Sequence, residues 1–313
     1  MSNILVTGAS GQIGSELVVY LAKKYGNNRI IATDIKEFTL PIKEEIRFQY
    51  LDVLDQEKIQ QVIEENNIDI IYHMAAILSA VGEKNPQLAY EVNMQGLMNI
   101  LEASRKFHIK RVLVPSSIAA FGPDAPKERT PDNTVMNPTT MYGVTKVAGE
   151  KLCQYYYLKY GVDVRSVRYP GIISSETLPG GGTTDYAVDL YIYAVQHKPY
   201  ECYINAETTL PFMYMPDAIS AIVNLEQTAP EKLTQRVYNI HAMSLNPAQI
   251  VSSIRKIIPD FQVTYKPDFR EKIAQSWPKA LDDSAARRDW GWAPRYDIEE
   301  MTLDMINKLK QKL

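Results

Sequence analysis

The sequence predicts an α/β protein, a doubly wound parallel sheet followed by a smaller α+β portion. Through the first 170 residues, short apolar runs alternate with longer segments of helical period, as in strands joined by crossover helices. The stretch Val6-Thr7-Gly8-Ala9-Ser10-Gly11-Gln12-Ile13-Gly14 ends the first run and opens the first helix, where a Rossmann-type sheet carries its glycines. After about residue 170 the alternation fades into mixed short elements, which suits the substrate side of a cleft. The expected division is a dinucleotide-binding domain over 1–170 and a mostly substrate-binding domain over 171–313, with the chain crossing back to the first.

Strands are expected at 3–7, 29–34, 47–52, 68–74, 111–117 and 163–168. Ile13, Leu17, Val18, Leu21 and Ala22 share one helical stripe, and Ile59, Val62 and Ile63 share another. Pro86 suits the first turn of a helix reaching about Lys106. Further helices are expected near Pro216-Asp217, after Asn246-Pro247 and over 297–313. There is no internal repeat. The Pro-rich loop 122–138 and the Gly180-Gly181-Gly182 hinge are the nearest candidates for disorder.

The bulk numbers exclude several classes. A net charge of −3 offers no basic field for nucleic acid or an acidic membrane surface. Cys153 and Cys202 are the only cysteines and lie far apart, so a reduced, cytoplasmic protein is expected rather than a disulfide framework. No leader is expected before Ile4-Leu5-Val6, and no apolar run reaches the roughly 18 residues of a spanning helix. His73, His108, His197 and His241 show no ligand spacing, so no metal site is expected.

Gly8, Gly11 and Gly14, with Gln12 and Ile13 in the same turn, let backbone N–H groups approach a pyrophosphate at a helix N-terminus. A tight turn with no ligand is the plain alternative. Asp34 lies 20 residues after Gly14, where an acid bonds the adenosine ribose, with Ile35 beside it. Its charge would repel a 2′-phosphate, which favours NAD over NADP, although Lys36 could tolerate that phosphate. Asp52 and Val53 follow the third strand and are placed for the adenine, but Asp52 serves equally well as a helix N-cap before Asp55-Gln56-Glu57. Met74, Ala75 and Ala76 close the fourth strand with room for a dinucleotide, though a tight core would also demand small residues. His73 reads as a packed, hydrogen-bonded histidine.

Tyr142-Gly143-Val144-Thr145-Lys146 puts a phenol and an ammonium one helical turn apart, pointing the same way. An isolated pair of this kind is more often a surface feature. Ser116-Ser117, at the end of the fifth strand, changes the balance because open α/β sheets bind ligands at that edge. Ser117 can hold a substrate hydroxyl while Tyr142 takes its proton. Lys146 and a nicotinamide charge are expected to bring the tyrosine, ordinarily near pKa 10, into useful range.

These features resemble the extended branch of the short-chain dehydrogenase/reductase superfamily across essentially the whole chain. The segment Asp282-Asp283-Ser284-Ala285-Ala286-Arg287-Arg288-Asp289-Trp290-Gly291-Trp292-Ala293-Pro294 matches that branch too. Within it, Ala75–Glu83, Arg168-Tyr169-Pro170-Gly171-Ile172-Ile173-Ser174, Gly182-Thr183-Thr184-Asp185-Tyr186-Ala187 and Ser276-Trp277-Pro278 look like the short-chain-type L-threonine 3-dehydrogenases. The resemblance implies metal-free, NAD-dependent oxidation of the threonine side-chain hydroxyl to 2-amino-3-oxobutanoate. It further implies substrate contacts at Ser79, Ser116, Ser117, Tyr142, Thr183 and Trp277, with Pro170, Gly171 and Ile172 against the nicotinamide; from the residues alone, the Thr183 and Thr184 hydroxyls suit a small zwitterion. From the residues alone, the Gly180–Gly182 segment reads as a lid or as a solvated linker, and Trp277 as core.

Two rival readings remain. Nucleotide-sugar epimerases and dehydratases share the catalytic set but carry an asparagine after the Arg-Tyr of the sixth strand, where this chain has Pro170. A non-catalytic NAD-sensing module would need the glycines and Asp34 but not Tyr142 and Lys146 in register. A homodimer is expected through helices 86–106 and 143–160, with Leu97, Ile100, Leu152 and Tyr156 as its apolar contacts.

Overall fold

The computed structural model describes residues 2–38, 45–178 and 180–313. The first half of the chain runs β1 (Asn3–Thr7), α1 (Gln12–Tyr25), β2 (Ile30–Asp34), β3 (Arg47–Tyr50), α2 (Gln56–Asn66), β4 (Ile68–His73), α3 (Ser79–Lys84), α4 (Pro86–Tyr90), α5 (Gly96–Lys106), β5 (Arg111–Leu113), β6 (Ser116–Ser117), α6 (Met141–Tyr160) and β7 (Val164–Tyr169). The main sheet has the order Val237–Asn239, β7, β5, β4, β1, β2, β3, with β6 also beside β7. Every neighbouring pair in it is parallel. Parallel pairing needs helical crossovers, and these bury both faces, which is why all six residues of β7 are buried. The strand order reverses between β1 and β4. That switch point is the crevice where doubly wound sheets bind ligands.

The later chain forms a three-stranded sheet (Gly171–Ile173, Leu210–Tyr214, Met243–Leu245) and a two-stranded one. Strand Val237–Asn239 returns to the main sheet, so residues beyond 171 complete the first layer as well as building the second. A core around Tyr186, Tyr191, Phe212 and Tyr214 lies under these later elements, while two further cores flank the main sheet. Among the described residues no helix is long and apolar enough to cross a membrane.

Four expectations need correction. The strand expected over 111–117 is cut at Val114-Pro115 into β5 and β6, because proline has no N–H to continue a ladder. The helix from Pro86 is not uniform: between α4 and α5 the segment Glu91–Gln95 winds as a π-type turn. The Pro-rich loop 122–138 is pinned rather than loose. Lys127 donates to the carbonyls of Ser276 and Trp277 at 2.6 and 3.2 Å, and Thr130 bridges to Leu281. Finally, Leu97, Ile100 and Tyr156 pack inside the protomer, between the sheet and its helices. The large apolar side chains that α4 and α6 leave exposed are Leu88, Tyr90, Val144, Tyr155, Leu158 and Tyr160.

Candidate active site

Thr140 caps α6 by accepting from the Gly143 N–H at 3.1 Å, so the helix starts just before Tyr142. Tyr142 and Lys146 then share a face. Ser117, at the end of β6, lies beside the Tyr142 phenol and favours its ionised form. The Lys146 Nζ lies 5.4 Å from the Tyr142 ring centre and donates to the Pro115 carbonyl at 2.8 Å. The break at Pro115 therefore has a use: it presents a carbonyl that anchors the lysine.

Burial governs both ionisations. It pushes the Tyr142 phenol up to about 12, against the opposing influence of the Ser117 hydroxyl, and pulls Lys146 down to about 8. Lys146 and a nicotinamide charge together are expected to favour the phenolate. The protein alone does the reverse, because desolvation penalises each charged form more than the nearby partner helps it. His73 is hydrogen-bonded through Nδ1 to the Thr7 hydroxyl at 2.8 Å. Burial, and then the charge of Lys146, push it down to about 3, so it stays neutral.

The glycine turn is built for close approach. A Cβ on Gly8 would sit 2.5 Å from the Ala75 nitrogen, and one on Gly14 would sit 2.1 Å from the Gly8 carbonyl oxygen. The amide nitrogen of Gln12 is buried with no partner, as expected of a group that completes its bonding on a bound molecule. At the end of β2, the Asp34 carboxylate accepts from the backbone N–H groups of Ser10 (2.9 Å) and Lys36 (3.0 Å), which holds it at the rim of the turn. Ile35 beside it is exposed. Asp52 accepts from Leu54 N–H at 2.9 Å, and the cap of α2 is Asp55, so capping does not account for Asp52. Val53 is buried, while Ile13, Met74, Ala75 and Ala76 are half-buried around the crevice. Pro170 is buried and Ile172 half-buried on the next strand. This donor set fits a nicotinamide dinucleotide.

On the other side of the crevice, the Ser79 and Thr183 hydroxyls meet at 3.0 Å, and the Thr183 N–H donates to Ser79 at 3.2 Å. Asp185 folds the glycine segment by accepting from the N–H groups of Gly181 and Gly182 at 2.8 and 2.7 Å. Thr184 packs against Gly171. Trp277 is buried in the later core, against which Tyr142 also packs. Ser116 is turned the other way from Ser117, with its hydroxyl on the Glu150 carboxylate. Sequence reasoning missed three residues here: Glu150, Arg168 and Asn93. Asn93, in the π-type turn, accepts from the Ile77 N–H at 2.8 Å and donates to the Thr145 hydroxyl at 3.1 Å, joining the loop after β4 to α6. A four-residue step from Lys146 to Glu150 was the only available signal, and a charge at that spacing usually marks a solvated face.

Residues 4–240 match the model of the NAD dependent epimerase/dehydratase family. The chain belongs to that family. A relative described as an uncharacterized epimerase/dehydratase of Staphylococcus haemolyticus is 48% identical over 316 residues, covering 100% of this chain and 99% of its own. Among solved structures, the chain is similar to an L-threonine dehydrogenase from Phytophthora infestans, with 51% identity, a TM-score of 0.96 and 100% of each chain covered. It is also similar to a monomeric L-threonine 3-dehydrogenase from a metagenome, in apo form, with 48% identity, a TM-score of 0.95 and 99% of each chain covered. As a member of the epimerase/dehydratase family with this hydroxyl–phenol–ammonium set, the chain is a nicotinamide-dependent oxidoreductase. Among the described residues no group of three or more His, Cys, Asp or Glu could hold a metal ion.

Proposed function

We propose that the protein is an L-threonine 3-dehydrogenase that uses NAD and yields 2-amino-3-oxobutanoate. The observation that carries this reading is the whole-length similarity to an L-threonine dehydrogenase structure, at 51% identity, joined to an intact Ser117, Tyr142 and Lys146. NAD, when bound, supplies the hydride acceptor. Gly8, Gly11, Gln12, Ile13 and Gly14 would hold its pyrophosphate, and Asp34 its adenosine ribose, whose free 2′-hydroxyl the carboxylate favours over a phosphate. Ile35, Asp52, Val53, Met74, Ala75, Ala76, Pro170 and Ile172 would line the remainder.

Ser117 orients the substrate hydroxyl and Tyr142 accepts its proton, with Lys146 stabilising the phenolate as it forms. Ser79, Thr183 and Thr184 would receive the ammonium and carboxylate of the amino acid, and Trp277 would wall the site. The protein would work as a homodimer through the exposed face of α4 and α6. A nucleotide-sugar epimerase is the rival, disfavoured by Pro170 in place of asparagine.

Absorbance of NADH with a panel of 3-hydroxy amino acids and UDP-sugars decides between them. L-threonine should give the highest kcat/KM. Turnover of a UDP-sugar, with none of threonine, would overturn the assignment.

A further inference from the structure

We propose that Glu150 is a positioning residue that sets the strand carrying Ser117 against the helix carrying Tyr142 and Lys146, with Ser116 as its link to the strand. This rests on the reading that those three residues act on a substrate hydroxyl. Tyr142, Lys146 and Glu150 follow one another at four-residue steps on one face of α6. Glu150, Ser116 and Arg168 are all buried, at 6%, 4% and 4% exposure. The Glu150 Oε1 accepts from the Ser116 hydroxyl at 2.5 Å and from Arg168 Nε at 2.8 Å, and Oε2 accepts from Arg168 Nη2 at 2.8 Å. Arg168 lies opposite Ser116 in the pairing of β6 with β7. It also donates to the Asp132 carbonyl (2.8 Å) and to Asn239 Oδ1 (3.1 Å).

One carboxylate thus ties a helix to two strands. Because successive strand residues face opposite ways, holding Ser116 on one side fixes Ser117 on the other. A short β6 of two residues has little ladder of its own to do this.

The same carboxylate acts on Lys146 through charge. The titratable groups facing Lys146 are Glu150 and Cys153 from its own helix, Tyr142 one turn before it, and His73 from β4. Those facing Glu150 are Arg168 from β7 and Lys146 and Cys153 on α6, with Asp132 beyond Arg168 at 3.9 Å. A cavity of about 30 Å³ lies among His73, Ser116, Lys146, Glu150 and Ser166, room for about one water. Burial drives Lys146 toward the neutral amine, and Cys153 and Glu150, two turns and one turn further along α6, oppose it, which favours the ammonium beside the phenol.

The test compares Ser116→Ala and Glu150→Gln with wild type, reading kcat and KM for L-threonine against pH, and the pH dependence of NADH binding without amino acid. Ser116→Ala should lower kcat about tenfold, with KM moving less than about twofold and the alkaline limb unmoved. Glu150→Gln should lower kcat further and move the alkaline limb, in both readouts, to lower pH by about one unit. A raised KM with normal kcat in Ser116→Ala would instead make Ser116 a substrate contact. An equal loss at every pH in Glu150→Gln, with the limb in place, would reduce Glu150 to a structural role; either result overturns the proposal. Glu150→Gln leaves Arg168 buried without its partner. If that variant does not fold, Glu150→Asp keeps the charge but withdraws the carboxylate from Ser116, and must lower kcat with the limb left in place. If wild type fails to oxidise threonine, the functional reading falls, while the limb in NADH binding still decides the electrostatic role of Glu150.

Discussion

At Tyr142 the protein opposes the state that proton abstraction needs, since burial pushes the phenol to about 12 while it pulls Lys146 to about 8. The signs give the pH dependence. The phenolate becomes more available as pH rises, and the ammonium beside it is lost as pH climbs through about 8. Turnover should therefore increase from neutral to mildly alkaline pH and then stop increasing, the bound nicotinamide's positive charge helping the proton leave at the lower end. Tyr142→Phe keeps the ring and its packing but deletes the acceptor oxygen. We expect kcat lower by about 10²–10⁴ with NADH affinity nearly unchanged. A rate near that of wild type, measured at the optimum, would remove Tyr142 from the mechanism.

At the scale of single elements, the turn from β1 into α1 has the least freedom. Gly14 packs its α-carbon against the Gly8 carbonyl, and an added methyl at 2.1 Å from that oxygen would force the backbone apart. Gly14→Ala should weaken NADH binding at least about tenfold, or about 1.4 kcal/mol, as read by fluorescence titration. Far-UV circular dichroism should stay close to wild type, because α1 keeps its buried stripe of Leu17, Val18 and Leu21. Binding as tight as wild type would show that the turn does not cradle the cofactor. This element was legible in the sequence, for the spacing of its glycines reflects only local geometry. The interruption at Pro115 was half-legible. Proline announces a break, but that the freed carbonyl anchors Lys146 depends on where α6 packs.

For the whole molecule, α4 and α6 leave several large apolar side chains outside, including Tyr90 at 56% and Leu158 at 73% exposure. Exposed apolar side chains on two neighbouring helices suit an isologous contact between copies. Light scattering at micromolar protein should report twice the 35.5 kDa chain mass. A monomer mass would leave these side chains without a partner copy and remove the homodimer from the proposal. Of the residues first expected in that contact, Leu97, Ile100 and Tyr156 are used instead to join the helices to the sheet, and Leu152, half-buried, packs against the same core. Periodicity shows that a helix has an apolar stripe, and it does not show whether the stripe meets its own core or a neighbour.

The sequence by itself determined the parallel sheet, the glycine turn from β1 into α1, the acid at the end of β2 and the order of the serine, tyrosine and lysine. Each of these depends on residues close together in the chain: a hydrophobic period, a glycine that must lack a side chain, or two groups one helical turn apart. Only the tertiary structure decided which of two adjacent serines faces Tyr142 and which bonds Glu150. It alone brought Ser79 against Thr183, 104 positions later, and paired Glu150 with Arg168 across two elements. The ionisation of Tyr142 and Lys146 belongs to that second group as well. Burial dominates both shifts, and burial is a property of the packed molecule that no local spacing records.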